Sequence, residues 1–258
     1  MTKIDSSAIV NPNAKLGENV EVKPFAVIEE DVEIGDNSVI GPHAVIYNGA
    51  RIGNRVKIFQ GASVANFPQD LKFDGGRTEF HIGDDTIVRE FTTLHRGTHE
   101  SGFSKVGKNT LLMAYVHVAH DCVIGDNCVI ANGVQIAGHV HVEDWVTIGG
   151  MSPIHQFVTV GQHSMVGGGY RIALDIPPYI LAAGEPLRYA GLNVVGLRRR
   201  DFTNEEIKEL KEAYAIVYQS KLNLSQAKEK LAEKVEKGRL SKLVFDFINK
   251  SSRGIIRG

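Results

Sequence analysis

An aliphatic residue recurs every sixth position through most of this chain. Stepping by six from Val10 gives Val10, Leu16, Val22, Ile28, Ile34, Ile40, Ile46, Ile52, Ile58 and Val64. The phase resumes at Ile82, Val88 and Leu94. It resumes again at Val106 and runs through Leu112, Val118, Ile124, Ile130, Ile136, Val142, Ile148, Ile154, Val160, Val166 and Ile172. From Val10 to Val64, two places before each stands a residue that is no larger, as at Ala14, Val20, Ala26 and Val32. A helix turning every 3.6 residues cannot keep a strict six-residue period on one face. A short strand can, because positions two apart point the same way. Each hexad then makes one strand, and the Gly or polar residues beyond the aliphatic make the turn. Three strands close a triangular coil, and coils stack at roughly the 4.7–4.9 Å interstrand spacing. The expected fold is an all-β solenoid, a parallel β-helix.

Composition narrows the setting. The 258 residues are 43% hydrophobic with a formal net charge of -1, which argues against bulk electrostatic binding to nucleic acid or an acidic membrane. The start, Met1-Thr-Lys-Ile-Asp-Ser-Ser, lacks the basic-then-apolar layout of a signal peptide. No apolar run approaches the ~18 residues of a membrane span. The cysteines, Cys122 and Cys128, fall at the inward small position and read as core fillers, not a metal or redox pair. A cytoplasmic protein with reduced thiols is expected, with no integral membrane segment.

The turns are not all alike. Counted in threes, Val64, Leu94, Val118, Ile136, Ile154 and Ile172 share one face, so the turns after them stack at one corner. Those turns begin Ala65-Asn66, His95-Arg96-Gly97, Ala119-His120-Asp121, Ala137-Gly138-His139 and His155-Gln156-Phe157. Both breaks in the phase, insertions near 65–81 and 95–105, fall there too. One histidine at a turn is more often an inert solvated residue. Four histidines and two insertions in one register point to a site. A second corner carries Met113-Ala114, Ala131-Asn132-Gly133, Gly149-Gly150-Met151 and Gly167-Gly168-Gly169. Glycine suits tight turns, but this loss of side chains also makes a smooth groove for a ligand or another subunit.

The repeat gives way at Asp175-Ile-Pro-Pro178, a stop signal for regular pairing. A linker to about Phe202 carries Asn193 and Arg198-Arg199-Arg200. Helices are expected beyond it. Thr203-Asn-Glu-Glu206 reads as a capping box ahead of an apolar stripe of Ile207, Leu210, Tyr214 and Val217. A second helix starts near Ser225 with Ala227, Leu231 and Val235 inside; a third uses Leu240, Leu243, Val244 and Phe247. Residues 1–190 are therefore read as solenoid and 191–258 as a helical domain.

Seven segments together identify a family. They are His117-x-x-His120-Asp121-Cys122, Gln69-Asp70-Leu71-Lys72, His95-Arg96-Gly97-Thr98, Ala137-Gly138-His139, His155-Gln156-Phe157, Ile176-Pro177-Pro178-Tyr179 and Gly191-Leu-Asn193-x-x-Gly196-Leu-x-Arg199-Arg200. As a set they resemble the UDP-N-acetylglucosamine O-acyltransferases, over essentially the whole chain. The resemblance implies a left-handed β-helix and a cytoplasmic homotrimer with sites between subunits. It implies acyl transfer from an acyl carrier protein thioester to the sugar 3-hydroxyl, the first step of lipid A synthesis. No cofactor or metal is implied.

The residues suit that chemistry. A sugar hydroxyl attacks well only as a base removes its proton, and a neutral imidazole with an ordinary pKa near ~6.5 serves at neutral pH. His120 is the candidate base. Asp121 is expected to orient it indirectly, since adjacent strand residues diverge. Gly138, one coil beyond His120, offers a backbone N–H for the oxyanion, the role the resemblance also assigns to that position. Substrate-binding candidates are Gln69, Asp70, Lys72, His95, His117, His139, His155, Gln156, Asn193 and Arg199, with Arg199 and Lys72 suited to anionic groups. Gly168, far along the side-chain-poor corner, is expected to border the acyl chain. Three rival readings stand beside this one: a 3-amino sugar nucleotide as acceptor, acetyl-CoA as donor, and a zinc carbonic anhydrase-like trimer built from the histidines.

Overall fold

The computed structural model describes all residues but Lys221, Glu236 and Lys237. Among the described residues, the hexads form three parallel sheets that run the length of a solenoid. The first face has eleven strands, from Lys3–Ile4 to the hairpin described below; the second and third have eight each. Most strands are two residues long, as at His117–Val118 and Ile136 with Gln135. Adjacent coils pair eighteen residues apart, as Glu21 with Val39. Across the first insertion the pairing distance becomes thirty, and across the second twenty-four, yet the register of aliphatic on aliphatic is kept. Ile40, Ile46, Leu94, Leu112, Ile130 and Ile136 are fully buried in the lumen, with Ala26, Val20 and the other small residues beside them. Cys122 and Cys128 are buried among them as free thiols, and burial pushes both up to about 12.

The corners show how a hexad turns. The glycine after the aliphatic is not the bent residue, as expected from turn chemistry. The left-handed residue comes two places later: Asn37 at φ 58°, His43 at 57°, Trp145 at 62°, His163 at 57°. The glycine is instead required by close approach. A Cβ on Gly35 would lie 2.6 Å from the carbonyl carbon of Gly53 in the next coil. At the corner after the third face, a carboxylate or amide from each coil accepts the amide of the coil before it. Asp36 takes Glu18 N–H at 2.7 Å, Asn54 takes Asp36 at 2.8 Å, and Asp126 takes Lys108 at 2.7 Å.

The repeat does not stop where the prolines suggested. Ile176 pairs with Val160, and Ile180–Ala183 adds a further parallel strand beside Met165–Val166. That strand folds back on Arg188–Leu192 as an antiparallel hairpin, so the segment expected to be linker is sheet, and residue 190 lies inside a strand. Pro177 stands where Gly161 N–H donates to Ile176 one coil earlier, and with no N–H to give it ends the ladder there, after the returning chain has paired Ile255 with Asp175.

The helices follow as α1 (Val194–Arg198), α2 (Asn204–Tyr214), α3 (Leu224–Val235) and α4 (Arg239–Lys250). The Thr203–Glu206 capping box is formed. Beyond Tyr214 the helix widens to a π-turn over Ala215–Gln219. That extra residue per turn rotates the stripe, so Ile216 is buried and Val217 only half so. Ala227 and Leu231 are buried in α3, and Leu240, Val244 and Phe247 in α4. The chain then returns to the solenoid, where Ile255 pairs with Asp175 and Ser251 donates to Asp175 at 2.6 Å. Among the described residues, no helix is long and apolar enough to cross a membrane.

Candidate functional site

The corner after the second face carries both insertions and the histidines, as the register required. The two insertions pack on each other. Arg96 lies over the Phe67 ring at 4.4 Å, Phe73 stacks on His99 at 5.4 Å, and His99 Nε2 meets Asp74 at 2.7 Å. Gln69 and Lys72 are exposed on the first insertion, and Asp70 accepts the Lys72 N–H at 2.9 Å.

Below them four histidines form a continuous group. The His95 and His117 rings meet edge to face at 5.0 Å, and His120 and His139 do so at 5.2 Å. His117 Nδ1 lies 2.8 Å from the Thr93 hydroxyl. Burial, with His95 and His120 nearby, pulls His117 down to about 4; burial also lowers His95. Both are neutral at physiological pH, and the buried His95 Nδ1 has no partner among the described residues.

His120 and Asp121 meet directly, Nδ1 to Oδ2 at 2.7 Å, against the expectation of an indirect contact. The divergence rule for strands does not apply because Asp121 is the left-handed residue of its turn, at φ 59°. Burial alone would raise the Asp121 carboxyl. Hydrogen bonds from Ser101, His120 and Thr98 outweigh it and hold the group below its ordinary value. The carboxylate therefore stays ionised and accepts from Nδ1, which leaves His120 Nε2 with its lone pair. His139 Nε2 is 3.7 Å from Asp121 Oδ2 and 3.7 Å from Glu100, and its ring stacks on Phe157 at 4.6 Å.

Gly138 lies under the His120 ring. A Cβ there would be 2.7 Å from Cε1 and 2.9 Å from Nε2. Glycine is thus needed to seat the His120 ring, a reason beyond the substrate access expected from sequence. Among the described residues the Gly138 N–H meets no acceptor, unlike the side-chain-capped amides at the corner after the third face. His155 and Gln156 sit one coil further, with His155 Nδ1 3.1 Å from Gln156 O.

The remaining candidates lie elsewhere. Gly168 stacks on Gly150 at the corner after the first face. Asn193 is at the corner after the third face, where it caps α1 through Gly196 N–H and donates to His163 O at 3.0 Å. Arg199 is exposed beside it, whereas Arg200 is engaged, 5.1 Å over Trp145 and 3.3 Å from His163. A single chain does not bring Asn193 or Arg199 to His120. Donor atoms of His120, Asp121 and His139 lie within 4.8 Å of one another, a spacing that also suits a metal. The Asp121 oxygens, however, are already taken by Thr98, Ser101 and His120, so a cation would have to displace them. Thr98 and Phe157 stood in the identifying segments but were given no role from sequence, and Ser101 was not singled out; their contacts join segments far apart in the chain.

Hexapeptide repeats of bacterial transferases match residues 13–48, 31–66 and 103–138. Coils of this kind, with a histidine–carboxylate pair at an insertion-lined corner, define a hexapeptide-repeat transferase. The narrower assignment comes from the rest of the chain. A family described as "Udp N-acetylglucosamine O-acyltransferase; Domain 2" matches residues 175–256. An acyl-[acyl-carrier-protein]–UDP-N-acetylglucosamine O-acyltransferase from Herminiimonas arsenicoxydans is 45% identical over 100% of both chains. One from Burkholderia mallei is 44% identical over 76% of this chain and 77% of its own. The crystal structure of LpxA, a UDP-N-acetylglucosamine acyltransferase from Bacteroides fragilis, superimposes with a TM-score of 0.96 at 46% identity, covering 98% and 100% of the two chains. The Francisella novicida enzyme gives 0.95 at 37% identity, covering 99% and 94%. The chain belongs to the acyl-[acyl-carrier-protein]–UDP-N-acetylglucosamine O-acyltransferases.

Two expectations follow from this geometry. Substituting Gly138→Ala puts a methyl group into the space of the His120 ring and forces it aside. Displacing a reacting group by about 1 Å costs on the order of 10²-fold. Acyl-transfer turnover should fall by that order while thermal melting stays near wild type. The second concerns pH. Between about 6.5 and about 4 the unfolded chain protonates His117 and the folded chain does not, so stability falls as pH drops through that window. His163, lowered to about 4 by burial and by Arg200, adds to the same trend. Urea midpoints measured from pH 7 to pH 4 should decline less steeply for His117→Gln than for wild type.

Proposed function

We propose that this enzyme moves a 3-hydroxyacyl group from acyl carrier protein to the 3-hydroxyl of UDP-N-acetylglucosamine, with His120 as general base. The observation that carries this is the direct His120–Asp121 contact, which fixes the proton on Nδ1 and turns Nε2 toward the open side of Gly138. As the sugar oxygen attacks the thioester carbon, its proton passes to Nε2 and the carbonyl oxygen becomes an oxyanion. The free Gly138 N–H supplies a donor for it. Asp121 stabilises the imidazolium, which returns the proton to the departing thiol sulfur as the tetrahedral species collapses.

The neutral His95 and His117 suit hydrogen bonds to sugar hydroxyls better than ion pairs. Gln69, Asp70, His139, His155 and Gln156 border the same corner and complete the acceptor and donor sites. Lys72 and Arg199, both exposed, are cations suited to the nucleotide diphosphate and the carrier arm. The separation of Asn193 and Arg199 from His120 supports reading the enzyme as a cyclic homotrimer, in which a second copy supplies at one corner what the first holds at another. The reaction belongs in the cytoplasm at the start of lipid A synthesis, where its carrier-bound donor is made. The acceptor hydroxyl and the carrier donor take precedence over the amino-sugar, acetyl-CoA and zinc readings because the curated relatives bear names of O-acyl transfer from a carrier protein.

The test is a product mass spectrum from purified protein, UDP-N-acetylglucosamine and a series of acyl-carrier thioesters. An ester product is expected; an amide, or product from acetyl-CoA alone, contradicts the assignment. His120→Ala should keep the oligomer in sizing experiments and lose about 10²–10⁴-fold in turnover. A near wild-type rate removes His120 from the mechanism. Gly168→Met tests where the acyl chain lies. The Asn132, Gly150 and Gly168 column steps by roughly 4.7–4.9 Å per coil, so a side chain at 168 stops a chain running along it. Each methylene left unburied loses about 0.8 kcal/mol. Competition among donors should shift toward shorter acyl chains, and an unchanged length profile in active enzyme places the chain elsewhere.

A further inference from the structure

The second insertion grips the Asp121 carboxylate that His120 also meets. Asp121 Oδ1 accepts the Thr98 N–H at 2.9 Å, and Oδ2 accepts the Thr98 hydroxyl at 2.8 Å. One residue thus holds both carboxylate oxygens. The Ser101 hydroxyl also donates to Oδ1 and lies 2.8 Å from Phe103 O. Thr98 is itself fixed. It is buried, its carbonyl accepts Gly102 N–H at 2.8 Å, and its hydroxyl accepts Glu100 N–H at 3.2 Å. Gly97 lets the loop close, because a Cβ there would strike the backbone of Phe103. The insertion is a self-closed clip whose inner face is the Thr98 pair of donors.

A carboxylate on one rotatable bond can turn its oxygens away from a partner. The clip removes that freedom and leaves one direction on Oδ2, toward His120 Nδ1. We infer that Thr98, assisted by Ser101, is a positioning residue for the reaction, locking the Asp121 carboxylate so that His120 keeps its proton on Nδ1 and its lone pair on Nε2. This rests on the assignment of His120 as base. The other charged or titratable groups near the pair do not take over the task. His139 stands 3.7 Å from Oδ2, beyond a hydrogen bond, and Glu100 3.7 Å from His139. His95 and His117 meet each other edge to face, and His117 Nδ1 is paired with the Thr93 hydroxyl.

The experiment compares Thr98→Val, Thr98→Ser, Ser101→Ala, Asp121→Asn and His120→Ala in steady-state acyl transfer, with double variants in the Asp121→Asn background. Losing one hydrogen bond to a charged group corresponds to about a tenfold effect. Thr98→Val should lower kcat by on the order of 10-fold with the sugar-nucleotide KM unchanged, and Thr98→Ser should restore it. In the Asp121→Asn background Thr98→Val should cost nothing further. Ser101→Ala, at an exposed position, should follow the same pattern and keeps the test open if the valine variant folds poorly. An equal loss in both backgrounds, a change in KM alone, or a serine variant as slow as valine overturns the positioning role. If His120→Ala is inactive while Thr98→Val and Ser101→Ala are fully active, only the positioning role fails. If His120→Ala turns over normally, the underlying assignment of the base fails.

Discussion

Everything in this molecule depends on each coil lying in register on the next. The parallel ladder joins a residue to its counterpart one coil on, so every position of the hexad becomes a column running along the solenoid. Inward columns are mostly aliphatic, and hydroxyls that enter them, such as Ser38 and Thr86, donate to backbone carbonyls. Corner columns escape that demand. The ladder survives both insertions because extra residues leave and re-enter at one corner without moving the strands on either side.

A column is also a means of bringing chemistry together. His120, Gly138 and Gln156 occupy one, and Asp121, His139 and Phe157 the next. The first supplies an imidazole, an open amide and an amide side chain at steps of one coil. The second supplies a carboxylate and two stacked rings. Left-handed backbone at the second column brings Asp121 back toward His120, so a conformation that carries strain elsewhere here makes the central contact. Among the described residues, the corner after the third face uses the same geometry differently. Its carboxylates cap their own neighbours' amides, each through one oxygen.

Much of this was legible in the sequence. The period of Val10 to Ile172 gave the coil, and counting in threes gave the corner that holds His120. What escaped was whatever does not repeat. The hairpin of Ile180–Ala183 and Arg188–Leu192 was hidden because two prolines read as an end, when they mark the end of one face only. The π-turn at Ala215–Gln219 was hidden because a stripe drawn at 3.6 residues continues to Val217. The direct His120–Asp121 bond was misjudged by treating a turn as a strand. Thr98 lies on an insertion that keeps no phase, and its grip on Asp121 spans 23 residues of sequence. Asn193 and Arg199 were singled out from their motif, but the column count placed neither.

The helices begin and finish at the same place on the solenoid. Asn193 is tied to His163 at the entry, while Ile255 and Ser251 both return to Asp175, and Tyr214 reaches Pro178 O at 2.5 Å. A swinging domain needs one free end and one hinge. Among the described residues this unit is tied at its entry, its middle and its exit, so lifting it off the solenoid would break all three at once. The helices act as a clasp on the last coils, and loosening any one tie leaves two to hold it.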